Sequence, residues 1–145
     1  MIVSDKQYGV SSAQLATLRD QLAAARVRES DQPWLNQAEI DGLKSLIADI
    51  ESELAEYDLL KSGQVSFSKT FGLEELPRLL VQARIASGMS QTDLARTLGI
   101  KPQQVQRYEA SGYRGASLGR LIAIAKALGV TISASFGGSR QRHHF

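Results

Sequence analysis

The sequence predicts a mainly α-helical chain, a coiled-coil-like two-helix hairpin followed by a compact helical bundle, and three patterns carry this reading. Apolar residues recur at helical spacing through the first 61 positions, capping signals and glycines punctuate short helical stretches from position 73 onward, and charge divides between the two regions. Residues 1–61 hold six Lys/Arg and eleven Asp/Glu, whereas residues 62–145 hold eleven Lys/Arg and four Asp/Glu. A net charge of +2 therefore joins an acidic half to a basic one.

In the acidic half, Ser11 with Gln14 forms a capping signal, and Leu15, Leu18, Leu22 and Ala25 follow along one stripe. This first helix is expected to end near Glu29, with a turn over Ser30 to Leu35 that contains Pro33 and Trp34. Asn36 with Glu39 signals a second helix, whose Ile40, Leu43, Ile47, Ile50, Leu54 and Tyr57 repeat at alternating three- and four-residue spacing. Two helices with one seam each have little core of their own, so a dimer interface through those six residues is expected. An intramolecular pair propping up the second half is the alternative.

Ser62-Gly63 breaks the helical pattern, and residues 62–72 read as a connector or short strand in which Val65, Phe67, Lys69 and Phe71 alternate with polar residues. A second alternating run is Val130, Ile132, Ala134 and Phe136, and since neither would be stable alone, a small two-strand element is expected in which they pair with each other or across a dimer. Between them helices are expected at 73–87, 91–98, 102–109 and 117–128. Pro77 fits only the first turn of the first of these, Ser90 with Asp93 caps the second, Ser117 caps the fourth and Gly129 ends it. Residues 73–136 then form one domain, and residues 137–145 a basic tail.

Residues 89–109, MSQTDLARTLGIKPQQVQRYE, carry the functional signal. A short helix from Gln91 holds the small Ala95, which permits close helix approach, and Gly99 can adopt the left-handed conformation of a sharp interhelical turn. Leu94, Leu98, Ile100, Val105 and Tyr108 supply the inward face. The pattern is that of a helix-turn-helix and points to double-stranded DNA. Placing Val105 and Tyr108 inward leaves Gln103, Gln106 and Arg107 on the opposite face, where amide and guanidinium groups suit base reading. Lys101, Gln104 and Gln91 are placed for phosphate contacts, the last with the free amides of its helix start.

The segment from Leu76 to Ile132, through SQTDLARTLGI, QQVQRYE and LGRLIAIAKALGV, resembles the lambda-repressor-like helix-turn-helix domain of XRE-family regulators. The resemblance implies sequence-specific DNA binding by a homodimeric transcriptional regulator, a repressor reading an inverted repeat. It also implies backbone contacts from Tyr113 and Arg114 in the loop after the reading helix, and a structural ion pair between Arg84 and Glu109. Lys101 and Pro102 depart from the family pattern, so base reading from the start of that helix is not expected. An acidic hairpin joined to such a domain is further similar to toxin-antitoxin antidotes, which implies as the alternative an antitoxin-like module that captures a partner toxin through the hairpin and autoregulates its operon.

No cysteine is present, which excludes disulfides, thiolate zinc sites and a cysteine nucleophile. The longest apolar run, Leu121 to Ala125, is far short of a membrane span, and the start of the chain lacks a signal-peptide stretch, so a cytoplasmic protein is expected. His143 and His144 are adjacent and lack metal-ligand spacing on a helix, and no nucleophile, base and acid set recurs. Neither an enzyme nor a cofactor is expected.

Overall fold

The computed structural model describes residues 1–65 and 70–138. Six α-helices follow one another: α1 (Asp5–Val27), α2 (Pro33–Lys61), α3 (Leu76–Ala86), α4 (Gln91–Leu98), α5 (Pro102–Ala110) and α6 (Leu118–Ala127), with a 3₁₀ turn at Leu73–Glu75 leading into α3. The mainly helical architecture is as expected, and Pro77 indeed lies in the first turn of α3.

The hairpin begins and turns differently from the sequence reading. Helix α1 starts six residues before Ser11, because Ser4 Oγ accepts from the Gln7 amide and Gln7 Oε1 accepts from the Val3 amide, an earlier cap of the same kind. Pro33 stands in the first turn of α2 rather than in the preceding loop, which suits a residue with no amide hydrogen and a fixed φ. Asn36, expected as the cap of that helix, instead donates from Nδ2 to the Ala25 carbonyl at 3.0 Å and so closes the C-terminal end of α1.

The seam assigned to dimerisation is closed within the chain. Ile40, Leu43, Ile47, Leu54 and Tyr57 are buried and Ile50 is half-buried, packed with Leu15, Leu18 and Ala25 of α1. A 23-residue helix laid antiparallel on a 29-residue one brings the two seams together, so these six side chains pack within the hairpin of a single chain. Across the hairpin, Arg19–Glu51 at 3.0 Å and Arg28–Glu39 at 2.7 Å are exposed pairs that fix register more than they stabilise.

Leu80, Ile85, Leu94, Val105 and Ile124 are the largest fully buried side chains, all in the C-terminal bundle. Ala95 is buried where α4 meets α5, and Gly99 takes φ +69° at the end of α4, with the Ile100 amide returning to the Ala95 carbonyl at 3.0 Å. Hairpin and bundle share one continuous core. Ile2 is buried against it, and Arg78–Glu56 at 3.1 Å ties α3 to α2.

Among the described residues no strand forms. Residues 131–138 run without regular structure, and residues 66–69 of the other expected strand lie outside the described residues. So do residues 139–145 of the basic tail, with His143 and His144. No helix of the described residues is long and apolar enough to cross a membrane.

Candidate nucleic-acid interface

Helix α4 owes its start to a reciprocal cap. Ser90 Oγ accepts from the Asp93 amide at 3.0 Å while Asp93 accepts from the Ser90 amide at 2.9 Å, and the Ser90 amide is the chief cause that holds the Asp93 carboxyl below its ordinary range. Helix α5 then leaves the Gly99 turn with Pro102 in its first turn and Val105 turned into the core. Its opposite side presents Gln103, Gln106 and Arg107 to solvent, with Lys101 just before it and Arg114 beyond it, all exposed.

The charge on this face is one-sided. From residue 76 to residue 145 the chain contains only two carboxylates, Asp93 and Glu109, and both are engaged. Asp93 serves the cap and faces Arg96 at 3.5 Å. Glu109, with its side chain only 2 % exposed, receives Arg84 Nε at 2.6 Å and Nη2 at 2.9 Å. The same guanidinium donates to the Met89 carbonyl at 2.8 Å and to the Val3 carbonyl. One buried arginine thus ties α3 to α5, to the loop before α4 and to the segment preceding α1.

The structure separates the sequence-derived contact residues into groups. Gln103, Gln106, Arg107, Lys101 and Arg114 stand free on the surface. Gln104 is exposed but donates to the Tyr108 hydroxyl at 2.9 Å along its own helix, and Gln91 is half-buried and donates from Nε2 to Glu109 at 2.8 Å. Gln91 therefore reaches a phosphate only through its second amide hydrogen or its backbone, or by leaving Glu109. Tyr113 is a correction. It is 4 % exposed, holds φ +61°, donates its amide to the Tyr108 carbonyl at 2.7 Å and stacks on the Tyr108 ring at 5.8 Å. Its hydroxyl has no partner among the described residues, and burial drives its pKa upward. The ring is core, and of the two loop residues only Arg114 is exposed.

Residues 80–134 match the family model described as helix-turn-helix. The segment is an XRE-family helix-turn-helix domain. No curated protein and no solved structure matches the chain significantly. The match spans 55 of the 145 residues, and it supports DNA-binding transcription regulation as the work of this domain. In this helix-turn-helix domain the Arg84–Glu109 pair has the structural role expected of it.

What the sequence missed is a groove between the start of the hairpin and the bundle. Lys6, Gln7, Val10 and Ser11 of α1 line the same groove as Gln91, Gln106 and Ala110. A residue at position 6 gives no signal of contact with position 106. The only local clue was Ile2-Val3, an apolar pair ahead of the Ser4 cap that has to be buried somewhere.

Proposed function

We propose that the chain is a sequence-specific double-stranded DNA-binding regulator that acts as a homodimer on an inverted repeat and represses by occupying it. The carrying observation is the outer face of α5, where Gln103, Gln106 and Arg107 stand exposed and no free carboxylate adjoins them. Arg matches the two acceptors of guanine and Gln the acceptor-donor pair of adenine in the major groove. Lys101, Arg114, Gln91 and Gln104 complete the reading as backbone contacts, which set register without reading sequence.

One small domain reads few bases, and two copies about 34 Å apart on one side of the duplex read an inverted repeat. Since the hairpin seam is spent within the chain, the surface better suited to self-association is α6, where Leu118 and Ile122 stand exposed one turn apart. A dimer of this kind represses by exclusion and needs no further contact with the transcription machinery.

The test is titration of duplex from upstream of the gene against a random duplex, with Gln103→Ala and Arg107→Ala. Each change is expected to cost about 1–3 kcal/mol on the specific site and little on the random one. Equal losses on both sink the base-reading assignment, and a monomer on DNA in sedimentation sinks the dimer.

A second reading rests on the far end of the hairpin. Val27, Trp34 and Leu35 are exposed together at its turn, Trp34 at 71 %, and such a cluster fits a protein partner of the toxin kind. Copurification of a small protein that is lost on Trp34→Ala supports it, and its persistence on that variant removes the tip from the interface.

A further inference from the structure

We infer that the N-terminal turns of α1, through Lys6, Gln7 and the edge at Val10, form a second DNA contact that grips the sugar-phosphate strand running beside the reading helix. This rests on the proposed DNA-binding role of α5.

A groove of about 960 Å³ separates the start of the hairpin from the helix-turn-helix domain. One wall carries Lys6, Gln7 and Val10, and the other carries Gln91, Gln106 and Ala110. On α5, Gln106 and Ala110 lie on the flank next to Gln103 and Arg107 at 100° per residue. A duplex seated on that outer face therefore has its edge in this groove, and the hairpin wall lies within its footprint.

The charge in the groove suits a phosphate strand although the hairpin as a whole is acidic. Lys6 is exposed and has no ion-pair partner among the described residues. Asp5 beside it turns away, accepting from the Tyr57 hydroxyl at 2.7 Å and facing Lys61 at 3.4 Å. Of the two carboxylates lining the groove, Glu53 lies 3.9 Å from the Met1 ammonium and Glu109 is held by Arg84. Gln7 uses its Oε1 on the Val3 amide and keeps its Nε2 hydrogens to donate.

The wall is also held in place. Ile2 is buried in the core, the Val3 carbonyl accepts from Arg84, and Tyr57 anchors Asp5. Little ordering entropy remains to be lost there on binding, which favours a positioned contact over a flexible tail.

The experiment compares full-length wild type with Lys6→Glu, Arg26→Glu and Arg107→Ala on the upstream duplex and on a random duplex across a salt series. Arg26→Glu makes the same change of net charge about 30 Å along α1, far from the groove. Lys6→Glu is expected to lower affinity several-fold on both duplexes and to reduce the salt slope by about 0.9, while Arg26→Glu leaves both near wild type. As a readout independent of charge, Val10→Cys provides a unique thiol, since the chain has no cysteine and Val10 is 63 % exposed. Carrying a photoactivated crosslinker, it is expected to join to the DNA strand. Equal effects of Lys6→Glu and Arg26→Glu, or no crosslink from position 10 while Arg107→Ala still weakens specific binding, overturn the second contact and leave the reading helix intact. Absence of any wild-type DNA binding instead overturns the role of α5 itself.

Discussion

Replacing Arg84 with Met removes four hydrogen bonds at once and leaves a carboxylate stranded. Glu109 would keep Gln91 as its one donor, and the carbonyls of Met89 and Val3 would lose theirs. Breaking a buried ion pair from one side costs about 3–5 kcal/mol, because the remaining charge has no water to return to. Against a total stability of about 5–15 kcal/mol that is a large fraction, and at about 2–4 °C per kcal/mol the midpoint of thermal unfolding should fall by about 10 °C. Thermal and urea unfolding followed by circular dichroism measure it. The double change Arg84→Met with Glu109→Leu should recover at least about 2 kcal/mol of the loss, since removing both charges removes the desolvation penalty. A single variant within about 1 kcal/mol of wild type, or a double variant no more stable than the single, would refute the assignment of the cost to a stranded charge.

Three further outcomes follow from local geometry. Tyr113→Phe removes a buried hydroxyl without a partner, so it should be neutral or stabilise by about 1 kcal/mol and leave DNA affinity unchanged; a fall in affinity would restore the loop tyrosine as a DNA contact. Gly99→Ala meets no atom within 4 Å of the added Cβ, so its cost is the left-handed backbone alone, about 1–2 kcal/mol in unfolding free energy, and a neutral result would mean the turn rearranges. The Asp93 carboxyl is held below its ordinary value chiefly by the Ser90 amide, so its contribution is present above the unfolded carboxylate range and lost as pH falls through the lower folded value. Thermal midpoints measured between about pH 5 and about pH 2 should therefore fall more steeply for wild type than for Asp93→Asn, and parallel curves would remove the cap from the acid response.

The bundle was more legible than the hairpin because its signals are local. Ser90, Gly99, Ser117 and Gly129 act on amides and dihedrals within a few residues of themselves, and each stands at a helix end as expected. The exposed positions on the outer face of α5 followed from periodicity once Val105 was placed inward. Periodicity identifies an apolar seam but carries no term for its occupant, so Ile40 to Tyr57 read equally as a dimer seam and as the partner of α1. Ser4 and Ser11 are both valid caps, and the choice between them is made at long range, by Ile2 finding a place in the core and Val3 finding Arg84. Tyr113 was misplaced because a surface loop is the default for Ser-Gly-Tyr-Arg-Gly. The left-handed turn at Gly112 and Tyr113 instead folds the ring back onto Tyr108.

Arg84 also bears on how the hairpin can regulate. It joins the Val3 carbonyl to Glu109 on the reading helix, so the start of α1 and the back of α5 share one guanidinium. Tyr57, donating to Asp5, and Glu56, accepting from Arg78, fasten the second helix of the hairpin to the same region. With its root fixed at these points, the hairpin moves with the DNA-binding domain. Its turn stands about 40 Å from its root, the length of a 29-residue helix. A protein whose contacts are confined to the turn at Trp34 therefore does not touch α5 of the same chain. If the proposed dimer forms, such a protein acts by changing how two copies sit on the duplex, or by loading the root enough to draw Val3 from Arg84. The two routes separate experimentally: the first vanishes on a half-site that binds one copy, and the second persists there.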